Sequence, residues 1–157
     1  MKSVKAVILA GGKGSRLQPY TLVLPKPLMP VGDVPVIESL LKWVRRNGMR
    51  DVSITIGYLG HLIKALCGNG HQWDMNITYS EEPEPLGTVG PLGSLANQLR
   101  STFLVMNGDL VTDLDLRKFV KFHKKHKGIL TVAVKKKSVK VDLGVLESEE
   151  GVVTRFR

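Results

Sequence analysis

Apolar and polar positions along the chain switch repeatedly between two periods. Val4–Leu9 is a nearly continuous apolar run, the pattern of a buried strand. Across Pro35–Arg46 the apolar residues Val36, Ile37, Leu40, Leu41 and Val44 recur at helical spacing. Pro35 suits the first turn of that helix and Gly48 stops it. Val52–Ile56 then reads as a strand, Leu59–Cys67 as a helix closed by Gly68-Asn69-Gly70, and Asn76–Tyr79 as a short strand. Val89–Leu99 is mostly helical in pattern despite Pro91 and Gly93 near its start. Phe103–Met106 is a strand, Leu114–Lys127 a helix and Ile129–Lys135 a further strand. Residues 143–147 and 152–156 pattern as a later strand pair. Strands alternating with helices predict an α/β fold with a Rossmann-like mixed, mostly parallel sheet and helices on both faces. In such sheets ligands bind beyond the carboxyl ends of the strands. Three unusual loops leave strands at that edge: the segment after Leu9, Glu81–Thr88, and Asn107-Gly108-Asp109.

The first of these loops carries the most information. Residues 10–30 hold three glycines, Gly11, Gly12 and Gly14, and four prolines, Pro19, Pro25, Pro27 and Pro30. The glycines let backbone approach a ligand without a Cβ in the way. The prolines forbid a helix and stiffen the loop. Arg16 and Lys26 add two cations. A stiff glycine-rich loop with fixed cations suits an anion, and a nucleotide phosphate above others. Two common phosphate loops are excluded. No Gly-Lys-Ser/Thr closes a P-loop, and Leu17 stands where the third glycine of the dinucleotide fingerprint belongs. The plain alternative, a strand followed by a flexible glycine loop, fits four prolines poorly.

From Leu9 to Val31 the chain resembles, without a gap, the signature of the sugar-phosphate nucleotidyltransferases: Ala-Gly-Gly-x-Gly-Ser/Thr-Arg-Leu-x-Pro, a Thr, then Pro-Lys-Pro-Leu-x-Pro-Val. The pattern is long and of low degeneracy. More diffuse similarity runs to the end of the chain, and members that use mannose 1-phosphate or related sugars with GTP look nearest. The resemblance implies a fold of the nucleotide-diphospho-sugar transferase type. It also implies transfer of a nucleoside monophosphate from an NTP to a sugar 1-phosphate, with Mg²⁺ as cofactor. Leu9, Ala10, Gly11, Gly12, Gly14 and Ser15 would cradle the nucleotide, with Arg16 and Lys26 acting on its α-phosphate. Gly87 and Thr88 would approach the base, and Glu82 would face its edge. A carboxylate accepts hydrogen bonds, and guanine offers donors on that edge, so GTP is favoured. Which of Glu81, Glu82 and Glu84 points inward stays open, and the acids read equally as a solvated loop. Gly144 would contact the sugar; by itself it is an ordinary strand or bulge glycine.

Asp109 is the candidate metal ligand. A carboxylate placed directly after an apolar strand can reach a cation bridging phosphates, and Mg²⁺ takes one or two protein carboxylates beside phosphate oxygens. Taken alone, Asn107-Gly108-Asp109 is also a common turn. Asp113 and Asp115 fit better as caps of the following helix. His61, His71, His123 and His126 show no metal-ligand geometry, and Trp43, Trp73 and Cys67 read as packing residues.

Charge changes the picture only locally. The net charge is +9, yet residues 116–140 hold ten of the 23 Lys and Arg residues and no acid, which leaves 13 basic against 14 acidic residues elsewhere. Leu116, Phe119, Val120 and His123 share one helical face there, the pattern of an amphipathic surface helix with solvated lysines rather than of a nucleic-acid site. One cysteine permits no intrachain disulfide and fits a reducing cytoplasm. No apolar run approaches a membrane span. Family domains continue past residue 157 with Glu-Lys-Pro and a second aspartate. The chain therefore reads as one unit, 1–157, the nucleotide-binding portion of an incomplete domain. Turnover by it alone is expected to be weak or absent, and a sheet ending there would leave an edge prone to homo-oligomerisation. A non-catalytic regulatory or assembly relative is the alternative.

Overall fold

The computed structural model describes residues 4–82, 84, 86–139 and 144–156. In chain order the elements are β1 (Lys5–Ala10), β2 (Pro30–Val31), β3 (Val34–Pro35), α1 (Val36–Arg46), β4 (Asp51–Ile56), α2 (Gly60–Cys67), β5 (Asn76–Glu81), α3 (Gly90–Ser94), β6 (Phe103–Asn107), α4 (Leu116–His126), β7 (Leu146–Glu149) and β8 (Val152–Phe156). Four strands form one parallel sheet in the order β5-β4-β1-β6. β2–β3 and β7–β8 are separate antiparallel pairs.

Strand alternation sorts the sheet residues into two faces. Ala6, Ile8, Val52, Ile54, Ile77, Leu104 and Met106 share one face, by register. They join Ile37, Leu41 and Val44 of α1, Ile63 and Cys67 of α2, and Leu116 and Val120 of α4 in a single apolar cluster. Trp43, Trp73 and Phe119 pack against it. On the opposite face Val7, Ser53 and Thr55 are buried. There Lys5 Nζ donates to Gln98 Oε1 (2.8 Å), which ties the segment after α3 to that face. Helix α4 is capped by Asp115, whose carboxylate accepts from the Lys118 amide (2.9 Å). Its lysines are exposed, as an amphipathic surface helix requires.

Two expectations are corrected. Val89–Leu99 is not one helix but the five-residue α3 and a separate 3₁₀ turn, Ala96–Gln98. Pro91 and Gly93 break its continuity. The expected strand Ile129–Lys135 does not form. Ile129, Leu130, Val132 and Val134 are exposed, and among the described residues no strand pairs with them. β-propensity expresses itself through a paired, half-buried surface, and this segment has none. The later strand pair is present as β7–β8, while position 143 of its expected first strand lies outside the described residues.

Candidate active site

The order β5-β4-β1-β6 puts a topological switch point beside β1. The chain steps outward through β4 and β5, then returns to pair β6 on the other flank. At such a point the connections leave in opposite directions and open a crevice at the carboxyl ends. A cavity of about 310 Å³ lies there, lined by Leu9, Ala10, Gly11, Gly12 and Gly14, by Lys26 and Pro27, by Glu82, Gly87, Thr88 and Pro91, and by Asn107 and Asp109.

The loop after β1 is held by its own backbone. Gly14 is left-handed (φ 63°), and the buried Thr21 donates from Oγ1 to its carbonyl (3.0 Å). Pro25 then opens the 3₁₀ turn Lys26–Leu28, whose Pro27 and Leu28 are buried, so Lys26 projects from an anchored base. On the other wall Gly108 donates its N–H to Leu9 O (2.8 Å). A Cβ on Gly108 would stand 3.2 Å from Ala10 Cβ, Leu9 O and Pro27 Cγ alike. The two turns are thus in direct contact, and Lys26 and Asp109 form an ion pair across them.

The third wall decides between the glutamates. The Glu82 amide donates to Ile56 O (2.9 Å), extending the β4–β5 ladder by one residue. Its carboxylate lies against Gly11, where a Cβ would collide with Oε1. Glu81 faces away and is ion-paired with Lys64. That contact holds the Glu81 carboxyl below its ordinary value. Glu84 is exposed. Glu82 is therefore the carboxylate that faces the cavity. It also borders a smaller cavity of about 260 Å³, lined by Ile56, Gly57, Gly60, His61, Lys64 and Glu81.

Ser15, Arg16 and Gly144 do not line the main cavity. Ser15 and Arg16 lie exposed on the 3₁₀ turn Ser15–Leu17, immediately after Gly14. Gly144 is explained by packing, since a Cβ there would run into the Phe156 ring of β8. Pro27, Pro91 and Asn107 also line the cavity. By sequence, Pro27 and Asn107 fall in the site loops without a binding role of their own, and Pro91 reads only as a helix breaker. Asp109 and Asn107 offer hard oxygen donors, and among the described residues no group of three or more His, Cys, Asp or Glu is placed to hold a metal ion. The ammonium resting on Asp109 marks its carboxylate as reachable by a cation in the cavity. The donor set fits a divalent ion completed by ligand phosphates.

The nucleotidyl transferase family model matches residues 5–157. The chain belongs to the nucleotidyl transferase family. Among curated family proteins, a mannose-1-phosphate guanyltransferase of Yarrowia lipolytica is 35% identical over 160 residues, covering 98% of this chain and 44% of the relative. The chain thus spans less than half the length of that relative. Among solved nucleotidyl transferases, a putative glucose-1-phosphate thymidylyltransferase from Bacillus anthracis, in complex with a sucrose, superposes with a TM-score of 0.73. It is 25% identical, over 98% of this chain and 63% of that one. HddC from Yersinia pseudotuberculosis, complexed with GMP-PN, gives a TM-score of 0.69 at 27% identity, over 76% of this chain and 54% of its own. The mostly parallel sheet with helices is the fold of these transferases.

Proposed function

We propose that this chain forms the nucleotide-binding part of an Mg²⁺-dependent sugar-1-phosphate guanylyltransferase. The reaction transfers GMP from GTP to mannose 1-phosphate or a related sugar phosphate, giving the nucleotide sugar and pyrophosphate. One observation carries the reading: a single crevice at the switch point gathers Gly11, Gly12, Gly14, Lys26, Glu82, Gly87, Thr88 and Asp109. The names of the relatives favour an enzyme over a non-catalytic homologue.

In this reading the glycine backbone admits the triphosphate and Lys26 balances charge at the α-phosphorus. Arg16, one residue beyond the anchored Gly14–Ser15 step, offers a planar fork for two phosphate oxygens. Glu82 accepts from the guanine edge, with Gly87 and Thr88 against the base. Gly144 is assigned to the sugar side by resemblance alone. A phosphate oxygen of the sugar phosphate attacks the α-phosphorus in line, and the bond to pyrophosphate breaks. The nucleophile is already an anion, so no general base is needed, and the residues act by alignment and by offsetting charge. Asp109, with Asn107 adjacent, would hold the Mg²⁺, which would supply neutralisation of phosphate charge. The single cysteine suits work in the cytoplasm, and the described residues include no helix long and apolar enough to cross a membrane.

Thermal-shift measurements with each NTP and Mg²⁺ test the binding half, because a ligand favouring the native state raises its melting point. GTP is expected to give the largest shift. Equal shifts for all four NTPs would reject the role of Glu82. Pyrophosphate release from a chain extended past residue 157 tests the reaction. No release with any pairing of an NTP and a hexose 1-phosphate would reject it.

A further inference from the structure

The two groups with opposite duties in the crevice are joined to each other. Lys26 Nζ sits on Asp109 Oδ2. Neither turn swings away freely: Pro27 and Leu28 are buried beside Lys26, and Gly108 is wedged among Ala10, Leu9 O and Pro27. Among the described residues no second carboxylate is paired with Lys26, and no second cation with Asp109. The cation and the anion of this pair satisfy one another, while Glu82 adds a further carboxylate to the same cavity.

We infer that this ion pair is a latch that makes the crevice take its metal and its nucleotide together. The inference rests on the proposed function. A divalent ion arriving alone must displace the ammonium from Asp109, and the anchored turn keeps the base of the Lys26 side chain beside the site. A free triphosphate meets a lysine already engaged by a carboxylate. The metal–nucleotide complex meets neither obstacle, because its ion replaces Lys26 at Asp109 while its phosphate replaces Asp109 at Lys26. Each ligand then raises the affinity for the other by the same factor, as linkage demands. The pair is partly solvated, with side chains 44% and 29% exposed, so its own strength is small. Such pairs shift an equilibrium by up to about fivefold, and repulsion between the ammonium and a divalent ion adds to this.

The test titrates Mn²⁺ as the metal probe, followed by the loss of the free-ion EPR signal, with and without GTP, after subtracting the Mn²⁺ that the same GTP binds without protein. Wild type is expected to bind Mn²⁺ weakly alone and at least about fivefold more tightly with GTP. Lys26→Met is expected to bind Mn²⁺ alone about fivefold more tightly than wild type. Asp109→Asn is expected to abolish both modes. Circular dichroism and the melting temperature confirm that each variant is folded, and Lys26→Gln serves as the second probe of the lysine. Unchanged Mn²⁺ affinity in both folded Lys26 variants would overturn the latch while leaving the functional reading intact. A wild type that binds no Mn²⁺ even with GTP would overturn both.

Discussion

Two glycines two positions apart in the loop after β1 should respond to the same substitution with opposite signs. Gly14 has φ 63°, and a Cβ there would stand 2.9 Å from Thr21 Cγ2. Thr21 is buried and its hydroxyl is committed to the Gly14 carbonyl, so it cannot rotate away without losing that bond. For Gly14→Ala, left-handed backbone costs an L-residue roughly 1–2 kcal/mol. The collision adds about 1–3 kcal/mol, as overpacking does. The narrower unfolded ensemble returns about 0.4–1 kcal/mol. The net is a destabilisation of about 3 kcal/mol. Gly12 has no heavy atom within 4 Å of its would-be Cβ and no positive φ. Gly12→Ala should therefore be neutral or stabilise by up to about 1 kcal/mol. Yet Gly12 lines the crevice, so its Cβ should obstruct a triphosphate lying on the backbone. Urea unfolding gives the two stabilities at constant slope, and the thermal shift with GTP and Mg²⁺ gives the binding. The expected pattern is a stable Gly12→Ala protein that no longer responds to nucleotide. Equal losses of stability in both variants would refute the account of the loop. A full nucleotide response in Gly12→Ala would refute close backbone approach.

Other outcomes follow from single atoms. Thr55 Oγ1 is buried with no partner among the described residues, so Thr55→Val should raise the unfolding free energy by about 1 kcal/mol in urea. Burial, aided by the charge of Glu38, pushes the Cys67 thiol up to about 12, so it should resist a thiol reagent at pH 8 until the protein is unfolded. The Asp115 carboxyl is held below its ordinary value of 3.8 chiefly by the Lys118 amide. A depressed folded value means that the cap contributes fully above the ordinary value and is lost as pH falls through the folded one. The melting-temperature gap between wild type and Asp115→Ala should thus persist at neutral pH and close in acid below about pH 4.

The core was readable because its pattern and its packing coincide. The five apolar positions of α1 are the five that are buried, and each strand of the parallel sheet was anticipated within two residues of its ends. Asp115 announced its cap by residue type. Legibility failed where a segment's structure depends on something non-local. Ile129–Lys135 has the composition of a strand, but composition cannot supply a partner. Two helix-breaking residues outweighed the apolar pattern of Val89–Leu99. In the site, loop chemistry points to Gly11, Lys26 and Asp109, while Glu82 comes from the resemblance with Glu81 and Glu84 left open; all four line the crevice. What one dimension could not show is that Lys26 and Asp109 meet, or which glutamate turns inward. The first depends on two turns packing together, and the second on how far the β4–β5 ladder extends.

The central strand meets its second neighbour late. Lys5 of β1 is paired with Phe103, 98 residues further on, whereas on the other side Ala6–Ala10 pair with residues of Asp51–Ile56. During synthesis, a nascent chain released as far as β5 can assemble only three of the four strands, with the flank of β1 bare. The crevice of such an intermediate lacks the wall that Asn107 and Asp109 provide. Domains of this kind expose adhesive strand edges while they wait. Nascent chains that have released fewer than about 107 residues are therefore where misassembly should concentrate, and where a chaperone would find its target.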